Sequence, residues 1–146
     1  MDRKEFIKTC GFACVGGVAL ATFLQSCTST SYFAQNSLTN NRITIKKTEF
    51  VKIENGKSIP RKYVLYKSEQ FNFPICIYKI SEYDYSAILM ECSHKGCELQ
   101  SNGDYLVCPC HGSEFSNKGI VQNPPAEENL KSFKVTTDHE NIYIQL

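Results

Sequence analysis

Between Cys92 and Ser113 the chain reads C-S-H-K-G-C, a short excursion, then C-P-C-H-G-S. Six side chains in this stretch can donate to a soft metal: Cys92, His94, Cys97, Cys108, Cys110 and His111. Thiolate and imidazole suit zinc, copper(I) or iron–sulfur centres, whereas hard cations prefer oxygen. A structural zinc would be satisfied by four of the six, in a C-x-C-x-x-H knuckle for example, and would leave two cysteines without a task. A two-iron cluster held between facing loops is the other reading. One iron would sit on two thiolates and the other on two imidazoles, taken from the pairs Cys92-x-His94 and Cys108-x-x-His111.

The two boxes closely resemble those of Rieske proteins from quinol-oxidising complexes, C-x-H-x-G-C and C-P-C-H-G-S. The resemblance implies a Rieske [2Fe–2S] cluster, with Cys92 and Cys108 on one iron and His94 and His111 on the other. It also implies a Cys97–Cys110 disulfide, and a Ser113 hydroxyl that donates a hydrogen bond to a bridging sulfide. A third family element, a cluster-covering loop of pattern G-P-A-x-x-x-L, fits Pro124, Pro125 and Ala126 through Leu130. This sequence departs from the family at several points. Pro124 replaces Gly, the thirteen residues between His94 and Cys108 are fewer than usual, and Lys95 replaces an apolar residue that helps dock a quinol site. Phe115 stands where high-potential members carry Tyr.

Replacing two thiolates by neutral imidazoles makes such a cluster less negative and favours its reduced state. Rieske centres therefore span roughly −150 to +300 mV, against about −400 mV for all-cysteine plant-type ferredoxins. The function implied is one-electron transfer at a membrane surface, between a quinol and a cytochrome, as a subunit of an oxidoreductase complex. An alternative is the small electron-relay subunit of a molybdoenzyme-type oxidoreductase of the arsenite-oxidase kind, towards which Lys95 leans. Ring-hydroxylating oxygenases share the ligands but lack the disulfide pair, and they need a mononuclear-iron domain for which this chain has no room.

The 146 residues are one domain's worth of chain, with a formal charge of +1 and no basic excess to suggest nucleic acid. Arg3, Lys4 and Lys8 precede an uncharged run from Gly11 to Leu24, too short to span a bilayer but suited to an export signal. Leu24-Gln25-Ser26-Cys27 resembles a bacterial lipobox, which would leave Cys27 acylated at a new N-terminus. Asp2 to Lys8 resembles a twin-arginine signal with Lys in place of the second Arg. Residues 1–26 are thus expected to be an export signal, residues 27–41 a polar tether from a lipidated Cys27, and residues 42–146 the Rieske domain. The expected location is the bacterial cell envelope, anchored on the exported side. An oxidising compartment there would permit the disulfide.

The elements that must position the site are strands. Short runs rich in aromatic and β-branched residues recur at 43–53, 61–66, 73–80, 85–90, 105–107, 133–135 and 142–146. Asn55-Gly56, Asn102-Gly103 and Lys118-Gly119 read as turns. About nine short strands predict an antiparallel β-sandwich or barrel, and the family resemblance adds two cluster-binding loops at one tip. Cys76 reads as a small buried hydrophobe and His139 as a solvated surface residue.

Overall fold

The computed structural model describes residues 31–146, so the expected signal and the lipobox Cys27 lie outside the described residues. The described residues are all-β, with thirteen short strands joined by turns and one 3-10 turn at Lys47–Phe50. Every strand pair is antiparallel. The all-β antiparallel expectation holds, with more and shorter strands than the hydrophobic runs suggested.

Seven strands form one curled sheet: β1 (Asn36–Thr39), β2 (Arg42–Lys46), β13 (Asn141–Gln145), β12 (Ser132–Thr137), β7 (Tyr85–Leu89), β6 (Ile75–Lys79) and β5 (Tyr63–Tyr66), in that spatial order. A second sheet runs β11 (Val121–Asn123), β10 (Glu114–Ser116), β9 (Tyr105–Val107), β8 (Gln100–Asn102). The hairpin β3 (Val51–Glu54) and β4 (Lys57–Pro60) stands by itself. Its turn is the predicted Asn55-Gly56, both with positive φ (51° and 73°), the backbone that a two-residue hairpin turn requires.

Side chains alternate across a strand, and β5, β6 and β7 bury both of their faces. One face sends Val64, Tyr66, Ile75, Ile77, Tyr85, Ala87 and Leu89 into a core closed by Ile43, Ile45, Phe50, Ile142 and Ile144. The other face sends Leu65, Cys76, Tyr78 and Ile88 into a second core with Leu99, Leu106 and Phe115 of the smaller sheet. The sequence signal is the near-continuous apolar run Ile75-Cys-Ile-Tyr, which lacks the alternation of a half-exposed strand. Cys76 is wholly buried there, as expected of a small hydrophobe, and burial pushes its thiol far above the usual range. His139 is exposed in the turn between β12 and β13.

Residues 36–39, read from sequence as part of a polar tether, form β1, the edge strand of the large sheet. The chain joins the body earlier still. The Tyr32 carbonyl accepts from the Leu65 amide at 2.8 Å, and the Ala34 amide donates to the Leu65 carbonyl at 2.9 Å. All four β1 residues are exposed, so their sequence carries no core-facing pattern. Backbone pairing with β2 alone makes this a strand.

Candidate metal centre

The chain leaves the large sheet after Leu89 and re-enters it at Ser132, and the site is built on the excursion between them. Two loops there share one backbone design. In the first, the Cys92 amide donates to the Cys97 carbonyl and the Gly96 amide to the Cys92 carbonyl, both at 2.8 Å. In the second, the Cys108 amide donates to the Ser113 carbonyl at 2.8 Å and the Gly112 amide to the Cys108 carbonyl at 2.9 Å. Each loop thus closes a six-residue ring that begins with a cysteine. The fifth residue is a glycine with positive φ, +70° at Gly96 and +80° at Gly112, where a side chain would be strained. A glycine one residue before the end of each box is the sequence signal for this design. Loop one is flanked by the bridge between Glu91 and Glu98, loop two by the β9–β10 pairing of Val107 with Glu114.

Cys97 and Cys110 are joined as a disulfide with their Cα atoms 6.6 Å apart, which cross-links the two loops. The sulfurs of Cys97, Cys108 and Cys110 lie within 4.8 Å of one another. Two of these three belong to the bridge, so the free donors are the buried thiols of Cys92 and Cys108. Burial raises the Cys92 thiol above its ordinary range; the Cys108 thiol beside it raises it further, while the His94 and Lys95 amides act to lower it. Proximity to Cys108 and amides aimed at sulfur are what a shared thiolate site needs, because a metal takes cysteine in its deprotonated form.

The imidazoles of His94 and His111 pack edge to face with centroids 5.0 Å apart. Nδ1 of His94 is buried with no hydrogen-bond partner. An orphaned buried acceptor carries a cost of about 1–3 kcal/mol, and a metal bond removes it. Two buried thiols, a pair of adjacent imidazoles and an inward ring nitrogen without a partner fit a two-iron cluster with mixed sulfur and nitrogen ligands.

The loop 124–130 closes over both boxes. Ser113 Oγ, fully buried, accepts from the Ala126 amide at 3.0 Å. Ser93 Oγ donates to the Glu128 carbonyl at 2.6 Å. Ala126 and Leu130 are buried while Pro124 and Pro125 are exposed. At the start of the loop, Asn123 donates to the Glu114 carboxylate at 2.5 Å. Sequence reasoning missed Ser93, whose only signal is a small hydroxyl between two ligand-type residues. Phe115 is fully buried in the core that also holds Cys92 and Cys108. Lys95 is exposed, and with Glu91, His94 and Lys131 it lines a shallow cleft of about 390 Å³ beside the first loop.

Residues 45–134 match the family model described as the Rieske [2Fe-2S] domain. The cytochrome b6-f complex iron-sulfur subunit of Trichodesmium erythraeum is 29% identical over 89% of this chain and 76% of that protein. The subunit of the same description from Prochlorococcus marinus is 33% identical, over 44% of this chain and only 36% of its own length. Among solved structures, the cyanobacterial plasma membrane Rieske protein PetC3 from Synechocystis PCC 6803 aligns with a TM-score of 0.52 at 25% identity. That alignment covers 58% of this chain and 87% of that one.

Proposed function

Since the chain belongs to the Rieske [2Fe-2S] family, we propose that Cys92 and Cys108 bind one iron of its cluster and His94 and His111 the other. When bound, the cluster accepts and releases one electron at a time. The observation that carries this ligand set is the convergence of two free buried thiols, two imidazoles packed edge to face and the partnerless Nδ1 of His94.

Each remaining residue then has a task towards that group. The Cys97–Cys110 bridge holds the two loops at a fixed separation. Ser113 accepts from the Ala126 amide, so its own proton is free to be donated towards a cluster sulfur. With Nδ1 of His94 committed to metal, Nε2 is the nitrogen left to meet a partner, and to hold or release a proton as the electron moves. Phe115, fully buried in the core that also holds both thiols, offers no donor there. Hydrogen bonds and solvent exposure around the ligands are what set the potential within the Rieske range.

The protein is a Rieske electron-transfer protein, and its reading here is a membrane-surface carrier from a quinol to a cytochrome-type acceptor. Similarity over most of the chain to a cytochrome b6-f iron-sulfur subunit supports this. Lys95, exposed at the rim where an apolar docking residue is expected, favours a second reading in which the partner is another redox enzyme, such as a molybdoenzyme. Redox titration of the purified protein, followed by quinol oxidation with the protein reconstituted alongside a cytochrome b-type partner, separates them. A potential too low to accept electrons from menaquinol would exclude the quinol reading.

We further propose that Cys27 is acylated and holds the domain at the exported face of the cell envelope. Intact-mass measurement of membrane-extracted protein tests this directly. Cys27→Ala should abolish the lipid adduct and release or mislocalise the protein; an unmodified mature N-terminus elsewhere would end the anchor proposal.

A further inference from the structure

The β3–β4 hairpin is an exposed structure with no evident work in the fold. All eight strand residues are exposed, among them Val51 at 40%, Ile53 at 70% and Ile59 at 41%. Residues directly opposite one another share a face, so the pairs Val51–Pro60 and Ile53–Ser58 make one side uncharged. The pairs Lys52–Ile59 and Glu54–Lys57 make the other side charged, with two lysines to one glutamate. An isolated two-stranded hairpin is marginal in water without something to cover its apolar face. Exposed apolar residues in a group commonly mark an interaction site.

The root of the hairpin says what covers it. Arg61, which follows β4, stacks on the Tyr32 ring at 3.7 Å and donates to the carbonyls of Glu49 and Val51. The Tyr32 hydroxyl donates to the Glu49 carboxylate at 2.7 Å. Tyr32 is therefore pinned to the base of the hairpin, one residue after Ser31, the first described residue. Exposed Phe33 (47%) follows immediately. Only Thr28 to Ser31 separate Cys27 from Tyr32, a reach of roughly 18 Å when fully extended.

We infer that the β3–β4 hairpin is a membrane foot, which lays Val51, Ile53 and Pro60 into the interface of an anionic bilayer beside the anchor. Lys52 and Lys57, on the opposite side of the hairpin, stay in water and reach the headgroup level with their long stems, Lys52 from beside Glu54, with which it pairs at 3.1 Å. Apolar side chains backed by lysine are the composition of interfacial segments, and basic residues near the surface are drawn to anionic lipid. The hairpin roots in the core closed by Phe50, whereas the cluster loops belong to the other core. Seating the foot fixes the orientation of the domain and leaves the redox end to its partners. This inference rests on the membrane-anchored reading given above, and its test distinguishes the two.

The chain has no tryptophan, so Ile53→Trp provides a single fluorescent reporter at an exposed site where folding is undisturbed. The full-length protein extracted from membranes is reconstituted into vesicles of equal parts phosphatidylcholine and phosphatidylglycerol, with and without brominated acyl chains. Ile120→Trp, at an exposed position just before β11, is the control. In the Ile53→Trp protein the expected result is a blue-shifted indole emission quenched by the brominated chains. The control should show no quenching, and adding Lys52→Gln and Lys57→Gln should weaken it at the hairpin. Emission at the value of a water-exposed indole, unquenched while intact mass shows the acylated chain on the vesicles, overturns the inference. So does a shift that requires an added protein partner. If intact mass instead shows no lipid on Cys27, the anchor proposal fails, and the same vesicles added to the soluble chain still decide the hairpin: quenching supports the foot, and its absence refutes it.

Discussion

Ser113→Ala probes the site most sharply, because the role of this hydroxyl in the structure and the role proposed for it towards the cluster separate experimentally. Its oxygen accepts from the Ala126 amide at 3.0 Å in a fully buried setting. Removing it strands that amide, at a cost of about 1–3 kcal/mol in stability. Its proton, free of any protein acceptor among the described residues, is assigned to a cluster sulfur. A hydrogen bond to a charged acceptor is worth about 1.5–3 kcal/mol, and only the difference between redox states reaches the potential. Taking that difference as ~1 kcal/mol, and 59 mV as a tenfold change worth about 1.4 kcal/mol for one electron, the midpoint should fall by about 40 mV. It falls because the reduced, more negative state loses the donor. The assay is a spectroscopic redox titration at fixed pH, run beside denaturant unfolding of the same samples. Phe115→Tyr, which adds a hydroxyl within the core that holds the two thiols, should move the midpoint the other way. An unchanged midpoint in Ser113→Ala with the cluster intact would refute the donor role, even if the stability loss appeared as expected.

Three further outcomes follow from the same geometry. Replacing Cys92 or Cys108 with Ser, or His94 or His111 with a non-ligand, should abolish the reduced-state EPR signal together with labile sulfide; stoichiometric zinc in the native protein would contradict the cluster assignment. Cys97→Ser with Cys110→Ser should lower stability by roughly 3 kcal/mol on the chain-entropy estimate, since the bridge closes a loop of 13 residues. Iron should then be retained at first but lost faster, as followed by absorbance decay. Asp138 is held down to about 2 from 3.8, first by the Tyr143 hydroxyl and then by the Asn141 and Glu140 amides. Its folded value lies below its unfolded one, so the stabilisation is complete above about pH 4 and is lost as pH falls towards 2. Tyr143→Phe should raise the carboxylate midpoint in an NMR titration.

The site was the most legible part of the sequence, because ligand chemistry demands particular residue types at particular spacings. Cys97 and Cys110 needed the family resemblance to be paired, and the structure joins them. What the sequence hid depends on backbone and on long-range partners. Asn36–Thr39 is polar and wholly exposed, and becomes a strand only because β2 offers it a ladder. The three-residue strands Gln100–Asn102 and Val121–Asn123 likewise carry too few core-facing side chains to show a period. The hydroxyls of Ser93 and Ser113 find their partners in a loop some 35 and 13 residues further on. Local pattern holds no trace of such pairings. By contrast Asn55-Gly56 was readable, since a turn with two positive φ values selects those residues by sterics alone.

The excursion that carries the redox loops begins and ends on neighbouring strands, β7 and β12. The Leu89 amide donates to the Lys131 carbonyl at 2.9 Å, and Ile88 lies opposite Ser132. Topologically this is a graft point: a segment could be inserted or removed there with no change in the order of the remaining strands. Energetically it is nothing of the kind. The segment roofs the second face of β5–β7, and cutting it out would bare Leu65, Cys76, Tyr78 and Ile88 to water. A transplanted copy would in turn lack a floor for Leu99, Leu106 and Phe115. Each part thus keeps the other's apolar face from water, so loss of iron should lower the unfolding temperature of β5–β7 as well, read by far-UV circular dichroism.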